Sequence, residues 1–325
     1  MSSRHLVDPE LAPLIDLLPA FTLRRENLPA IREGLLESLA QSVNEEDGVD
    51  VIQLAIPGQE NAPDVQLTIY RPGGSDDALP AVLHFHGGGH IMGAPAISAA
   101  RNRVLAQEAG CAIVSVHYRL SPENPFPAAL DDAYAALRWL YEDARRVQID
   151  PSRIAVAGES AGAGLAAALT QLARDKGEVR IVFQLLIYPM LDNRSGRTID
   201  RGSHSGEFLW TPESNRFAWD ALLGEGHAVD DERPYAVPGR CEHLAGLPAA
   251  FIGVGALDLF AEEDIDYAQR LVHAGVPTEL HVYPGAFHGF DAAPGTWAAH
   301  HLAREATAAL RRALHPRPAS AFEGR

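Results

Sequence analysis

Cysteine is nearly absent from this 325-residue sequence, which contains only Cys111 and Cys241. Two cysteines this far apart are too few for a disulfide framework, so we expect both thiols to be reduced. No apolar run approaches the roughly 20 residues that a membrane-spanning helix needs. The first apolar stretch carries Asp8 and Asp16 and is interrupted by Pro13, which does not fit a signal peptide. We therefore expect a cytoplasmic protein without a membrane span.

The sequence also has fewer basic than acidic residues. The sequence contains 27 Lys and Arg residues against 43 Asp and Glu residues, which gives a formal net charge of -16. A balance this acidic argues against nucleic acid and against an anionic membrane surface as partners. The 46% of hydrophobic residues can fill the core of one large domain. We expect a single α/β domain with an insertion.

Strand-like and helical patterns alternate through most of the chain. Several strand-like runs are continuously apolar, as in residues 112–116 and 181–187, which is typical of strands buried on both faces. Alternation of this kind predicts a mostly parallel, doubly wound sheet of eight strands. The predicted strands are 49–56, 64–71, 81–86, 112–118, 153–158, 180–188, 249–255 and 277–283, and the main predicted helices are 97–109, 127–146, 160–174, 261–274 and 296–314.

Two segments do not follow this alternation of strands and helices. Residues 1–45 have apolar clusters at helical spacing, and residues 191–245 form an insertion far longer than the usual connection of about 2 to 6 residues. We expect both segments to form a helical cap over a catalytic domain made of residues 46–190 and 246–325. Trp210, Phe217 and Trp219 give the insertion an apolar face, and we expect them to line a substrate pocket.

The pentapeptide Gly-Glu-Ser-Ala-Gly at residues 158–162 lies between a predicted strand and a predicted helix. Strand, sharp turn and helix are the context that a G-x-S-x-G nucleophile elbow requires. Glycines two residues before and after the serine provide clearance where the strand and the helix approach each other. This pattern makes Ser160 the candidate nucleophile.

Residues 86–89, His-Gly-Gly-Gly, follow another predicted strand. Because glycine has no side chain, its backbone N–H group can approach a developing negative charge closely. Each such donor lowers the activation free energy of an acyl-transfer reaction by about 3 kcal/mol. The layout is that of an oxyanion hole.

These two motifs identify a family. The sequence resembles the hormone-sensitive-lipase-like esterases of the α/β-hydrolase superfamily, over about residues 45–315. Further matching segments are residues 118–123 (Tyr-Arg-Leu-Ser-Pro-Glu), 126–129 (Phe-Pro-Ala-Ala), 188–189 (Tyr-Pro) and 288–290 (His-Gly-Phe). The resemblance implies an α/β-hydrolase fold, a serine esterase without cofactor or metal, and pairing of copies through the last strand in a homodimer.

A general base and an acid are expected after the serine, in the order serine, acid, histidine. His288 directly follows the last predicted strand, which brings it to the same sheet edge as Ser160. Asp258 directly follows the seventh strand, where the acid belongs. Asp264 and Asp266 lie further along the following helix and are the alternatives for the acid.

Three histidines, His84, His86 and His90, are close together in sequence and raise the question of a zinc site. No Cys, Asp or Glu lies adjacent to complete one, so we predict no metal. We expect His86 to hold the glycine loop open by hydrogen bonding, and Glu159 to support the neighbouring nucleophile.

The combined prediction is a serine carboxylesterase that acts on small esters with short- to medium-chain acyl groups. Ser160, His288 and Asp258 form the triad, and the N–H groups of Gly88, Gly89 and Ala161 bind the oxyanion while Gly87 shapes the turn. Two alternatives stay open: a lactonase or amidase with the same triad, and a catalytically weak receptor for a small ligand.

Overall fold

Eight strands form one sheet in the computed structural model, which describes residues 2–17, 22–39, 48–60, 62–74, 77–199, 204–224, 229 and 231–316. The strands are β1 (Val49–Ile56), β2 (Val65–Pro72), β3 (Leu79–Phe85), β4 (Ala112–His117), β5 (Ile149–Glu159), β6 (Ile181–Ile187), β7 (Ala249–Gly255) and β8 (Thr278–Tyr283). Their order across the sheet is β1-β2-β4-β3-β5-β6-β7-β8. The pairs β1–β2 and β2–β4 are antiparallel and all others are parallel. The predicted mostly parallel sheet of eight strands is confirmed.

Helices cover both faces of this sheet. They are α1 (Ala12–Ile15), α2 (Leu28–Leu39), α3 (Ala99–Ala109), α4 (Ala128–Glu142), α5 (Ala161–Lys176), α6 (Pro212–Leu223), α7 (Ala261–His273) and α8 (Trp297–Leu314). Apolar residues of α4, α5 and α7 pack in one core layer. Those of α3 and α8 pack in the layer on the opposite face. The fold is therefore doubly wound.

The central strands show why both faces must be covered. In β5, Ile154 and Val156 belong to the layer with α4 and α5, whereas Ala155 and Ala157 belong to the layer with α3 and α8. Successive side chains of a strand point to opposite faces, so a run without polar residues can be buried only between two helical layers.

One predicted helix is longer than the observed one. The pattern predicts a helix over residues 127–146, but α4 ends at Glu142 and a 3-10 turn follows over Ala144–Val147. Gln148 then adopts a left-handed conformation, with φ of 57°. This conformation turns the chain directly into β5, which begins at Ile149, and helical periodicity alone does not reveal such a turn.

The segment between β6 and β7 contains α6 within mostly irregular backbone. Thr211 caps this helix by accepting a hydrogen bond from the Ser214 N–H at 3.2 Å, as expected for a threonine followed by proline. A third apolar cluster joins Leu23 and Leu28 of the N-terminal part to Trp219 and Leu222 of α6. The division of the chain into catalytic domain and cap stays a prediction, and parts of both predicted cap segments lie outside the described residues.

None of the described helices combines the length and the apolar character that a membrane crossing requires.

Candidate active site

Ser160 occupies a sharp turn between β5 and α5. Its φ and ψ are 55° and -120°, a combination that costs a non-glycine residue roughly 1–3 kcal/mol and persists only where its surroundings enforce it. The Ser160 N–H donates to the carbonyl of Ile187 at 2.9 Å, and the Ser160 carbonyl accepts from Met190 N–H at 3.0 Å. These backbone contacts to β6 and its following loop hold the turn.

Close contacts require glycine on both sides of this turn. A Cβ atom on Gly162 would lie 2.1 Å from the carbonyl oxygen of Phe85 in β3, and one on Gly158 would lie 2.4 Å from the Gly162 carbonyl carbon. Neither position has room for a side chain, so the start of α5 can approach the neighbouring strand only with glycine at these positions.

The structure brings Ser160, His288 and Asp258 into one hydrogen-bonded chain. The Oγ of Ser160 is 3.0 Å from His288 Nε2, and His288 Nδ1 is 2.8 Å from Asp258 Oδ2. All three side chains are buried. Asp258 lies just after β7 and accepts a second hydrogen bond from Phe260 N–H at 3.0 Å. The alternatives Asp264 and Asp266 lie within α7, whereas Asp258 is the carboxylate that contacts the imidazole.

The glycine-rich loop lies beside Ser160. A Cβ on Gly87 would be 3.6 Å from the Ser160 Cβ. Gly88 has φ of 119°, and a Cβ there would be 2.2 Å from the Met92 carbonyl oxygen, so the loop conformation depends on glycine. Gly89 packs against Trp210. Ala161 directly follows Ser160, is the first residue of α5 and is fully buried.

His86 anchors this loop. Its Nδ1–H donates to the Gly87 carbonyl at 2.8 Å, while its own carbonyl accepts from the hydroxyl of Tyr118 at 2.7 Å. The two rings stack with centroids 4.3 Å apart. Burial lowers the pKa of His86 to about 3, so the ring is neutral near pH 7.

Comparison with known proteins decides the family. Residues 82–292 match the family model described as the alpha/beta hydrolase fold. Esterase LipI of Mycobacterium tuberculosis is 37% identical to this chain over an alignment that covers 95% of this chain and 96% of that protein. The chain belongs to the hormone-sensitive-lipase-like esterases of the α/β-hydrolase fold.

Other relatives agree with this placement. Carboxylesterase NlhH of M. tuberculosis is 34% identical, covering 90% of this chain and 98% of its own. Among solved structures, a bacterial heroin esterase superposes with a TM-score of 0.90 at 36% identity, covering 96% of this chain and 99% of that one.

A network of charges that the sequence did not reveal surrounds Glu159, the residue before Ser160 in this α/β hydrolase. Glu159 pairs with Arg101 at 3.1 Å and with His84 Nε2 at 3.1 Å. Burial alone would raise the pKa of Glu159, but Arg101 and His84 lower it to about 2. Glu159 is therefore ionised near pH 7 and is held beside Ser160 by Arg101, His84 and the hydroxyl of Ser98. Its support of the nucleophile stays a prediction.

Arg101 continues this network to the segment that carries His288. Its guanidinium contacts Asp291, which also accepts a hydrogen bond of 2.5 Å from the hydroxyl of Tyr188. The ring of Tyr188 lies against the imidazole of His288, with centroids 4.6 Å apart. Arg101 thus joins the turn that carries Ser160 to the loop that carries His288.

Two of the three histidines considered for zinc, His84 and His86, have hydrogen-bond partners within the protein. His84 Nδ1 is 2.9 Å from Ser115 Oγ, and its Nε2 faces Glu159. His86 Nδ1–H donates to the carbonyl of Gly87. Across the described residues, no group of three or more His, Cys, Asp or Glu side chains is arranged to hold a metal ion.

The three residues predicted to line a substrate pocket lie in different places. Trp210 packs over Gly89, with its ring 6.1 Å from that of His288. Trp219 is fully buried and lines an apolar pocket under α6. Phe217 is partly buried against the same apolar cluster. Their contribution to substrate binding stays a prediction.

Replacement of Arg101 by methionine tests the charge network. Glu159 and Asp291 would lose their common partner, which should lower the free energy of unfolding by roughly 1–3 kcal/mol, less than for a fully buried pair because the Arg101 side chain is 38% exposed. Urea unfolding at pH 7 measures the effect.

Arg138→Met is the matched control, since Arg138 and Glu142 form an ion pair on α4 with side chains 48% and 49% exposed. Its effect should stay within about 0.5 kcal/mol. Equal losses in both variants would show that the Arg101 network adds nothing beyond a surface ion pair.

Proposed function

We propose that this protein is a serine carboxylesterase that cleaves short- to medium-chain acyl esters through an acyl-enzyme intermediate. The observation that carries the proposal is the hydrogen-bonded chain from Ser160 through His288 to Asp258, with donor–acceptor distances of 3.0 and 2.8 Å. The esterases among its relatives support the same reaction class.

The proposed reaction begins with attack of the Ser160 Oγ on the ester carbonyl carbon. His288 Nε2 accepts the hydroxyl proton as the new carbon–oxygen bond forms, and Asp258 stabilises the resulting imidazolium through its hydrogen bond to Nδ1. The imidazolium then donates the proton to the leaving alkoxide as the ester bond breaks. His288 then accepts a proton from water as the water oxygen attacks the acyl carbon. The imidazolium returns a proton to Ser160 Oγ as the acyl–Oγ bond breaks, which releases the acid and regenerates the enzyme.

The negative charge of the tetrahedral intermediate needs donors that are already in position. We assign this role to the N–H groups of Gly88, Gly89 and Ala161, with Gly87 shaping the turn. Support comes from the position of Gly87 beside Ser160 and of Ala161 at the start of α5, where N–H groups lack helical partners. No cofactor takes part in this scheme.

Substitution of the triad should remove turnover without unfolding the protein. Ser160→Ala and His288→Ala should each lower kcat on p-nitrophenyl butyrate by about 10^4-fold or more, because the triad acts as a unit. Asp258→Asn should be nearly as severe, since the imidazole loses its orienting acceptor. Thermal unfolding of each variant, compared with wild type, verifies folding.

Asp266→Asn provides the control, because this carboxylate on α7 is 64% exposed. It should retain wild-type turnover. A crippled Asp264→Asn beside an active Asp258→Asn would move the acid to α7, and a wild-type protein without turnover would favour the receptor alternative.

Acyl-chain length should limit the substrates. Each methylene buried in an apolar pocket adds about 0.8 kcal/mol until the pocket ends, so kcat/KM should rise over the first carbons and then fall. We expect an optimum at acyl chains of about 2 to 8 carbons. Measurement of kcat/KM on p-nitrophenyl esters from acetate to palmitate tests this, and a maximum at palmitate would identify a lipase instead.

We further propose that the protein is cytoplasmic and pairs as a homodimer through β8. Cys111 and Cys241 are both unpaired, which suits a reducing compartment. The strand β8 is at one end of the sheet, and Leu280 and Val282 on it are 37% and 41% exposed. Light scattering of the purified protein measures the oligomeric state, and a monomer at micromolar concentration would exclude the pairing.

A further inference from the structure

Arg32 on α2 forms hydrogen bonds to two loops that are distant from it in sequence. Its Nε–H donates to the carbonyl of Ile91 at 2.7 Å, and its Nη2–H donates to the carbonyl of Ser121 at 2.8 Å. Nη1 and Nη2 also donate to the two carboxylate oxygens of Glu123, each at 2.9 Å. A guanidinium suits such a set of acceptors, because its N–H donors are held in a planar fork.

The Ile91 carbonyl belongs to the oxyanion loop, residues 87–92, which contains two of the proposed oxyanion donors. This loop closes on itself, since the N–H groups of Ile91 and Met92 both donate to the carbonyl of Gly88 at 3.0 Å. Gly88 and Gly89 have φ of 119° and 62°, so their N–H directions depend on a backbone conformation that other residues rarely adopt. A hydrogen bond at Ile91 therefore acts on the turn that begins at Gly88.

Arg32 also supports the oxyanion loop through Ser121. The Ser121 N–H donates to the carbonyl of His90 at 2.9 Å, while the Ser121 carbonyl accepts from Arg32. The carbonyls of His90 and Ile91 are thus both bonded, one to a neighbouring loop and one to the arginine that holds that loop. Because carbonyls in such a place need partners, loss of the guanidinium would let the backbone shift toward other donors.

Apolar packing places α2 beside the same loop. Leu28 and Ile31, which lie one turn before Arg32 and directly before it, pack in the third apolar cluster. This cluster also contains Ile91 and Ala161, which are both fully buried. Docking of α2 on the cluster therefore brings the guanidinium to the oxyanion loop.

Glu123 orients the guanidinium. Hydrogen bonding from Arg32 lowers the pKa of Glu123, so the carboxylate is ionised near pH 7. The Glu123 side chain is 56% exposed, and a pair this exposed adds little stability by itself. Its effect is geometric, because two parallel hydrogen bonds fix the plane of the guanidinium and hence the direction of the Nε–H toward Ile91.

We propose that Arg32 is a positioning residue for the oxyanion loop. Through the carbonyls of Ile91 and Ser121, it holds the loop in the conformation that directs the donor N–H groups toward the oxyanion. The proposal rests on the esterase function proposed above. Loss of Arg32 then weakens the transition state more than the binding of the intact ester, because the oxyanion forms only during the reaction.

Replacement of Arg32 by methionine tests the proposal through kinetics. Methionine keeps an unbranched apolar side chain but donates no hydrogen bond. On p-nitrophenyl butyrate, we expect kcat to fall about 10- to 100-fold and KM to stay within about 2-fold, since a small displacement of reacting groups costs that much in rate. Arg32→Lys should recover only part of the loss, because an ammonium group lacks the planar fork.

A pair of inhibitors separates oxyanion binding from ground-state binding. With n-butyl trifluoromethyl ketone, the Ser160 Oγ adds to the carbonyl carbon, the hydroxyl proton passes to His288, and the carbonyl oxygen becomes an oxyanion. n-Butyl methyl ketone has the same chain but lacks the electron-withdrawing fluorines that stabilise the adduct. In Arg32→Met, the inhibition constant of the trifluoromethyl ketone should rise by about the factor by which kcat/KM falls, while that of the methyl ketone stays within about 2-fold.

Arg4→Met is the matched control. Arg4 also lies in the N-terminal part, but it pairs with Asp16 at the surface, where the two side chains are 50% and 63% exposed. This variant should keep the wild-type kcat and both inhibition constants. Inhibition constants do not depend on the amount of folded enzyme, so partial misfolding does not imitate the expected result.

An unchanged ratio of the two inhibition constants in Arg32→Met would overturn the proposal, as would an equal change of this ratio in Arg4→Met. The esterase function itself has a separate readout in the wild type. Wild type that neither cleaves p-nitrophenyl butyrate nor binds the trifluoromethyl ketone more tightly than the methyl ketone would reject that function.

Discussion

The strained backbone of Ser160 is the constraint on which the rest of the site depends. A serine at φ 55° and ψ -120° is unfavourable by roughly 1–3 kcal/mol and must be enforced by its surroundings. Two backbone hydrogen bonds to Ile187 and Met190 provide part of this enforcement. Gly162 also packs closely against the backbone of Phe85 and His86. The strain directs the hydroxyl out of the sheet edge, where a histidine from another loop can meet it.

A second requirement is that this histidine stay within hydrogen-bond distance of the serine. His288 and Ser160 come from different strand ends, 128 residues apart in sequence. Arg101 contacts the residue before the serine and Asp291 in the loop after the histidine, while Tyr188 packs against the imidazole. Charge pairing in a largely buried place thus ties the two loops together, because each carboxylate would be costly without the shared guanidinium.

Much of the sheet, and the position of Ser160, Asp258 and His288 at one sheet edge, could be predicted from sequence because each depends on a local pattern. Continuous apolar runs mark the buried strands, and the motifs around Ser160 and His288 place both residues at strand ends. Arg101 and Asp291 have no such pattern. Their partners are set by how α3 and the loop after β8 pack in three dimensions, which no local periodicity encodes. The early end of α4 at Glu142 has a similar cause, since the left-handed Gln148 is specified by the entry into β5.

The central claim is that Ser160 is a nucleophile activated by His288. Its most direct test is covalent labelling with diethyl p-nitrophenyl phosphate, followed by intact mass and peptide mapping. The account predicts one diethylphosphoryl group per chain, on Ser160, with parallel loss of esterase turnover and with much slower labelling in His288→Ala. Labelling at another residue, or full turnover after complete labelling of Ser160, would contradict it.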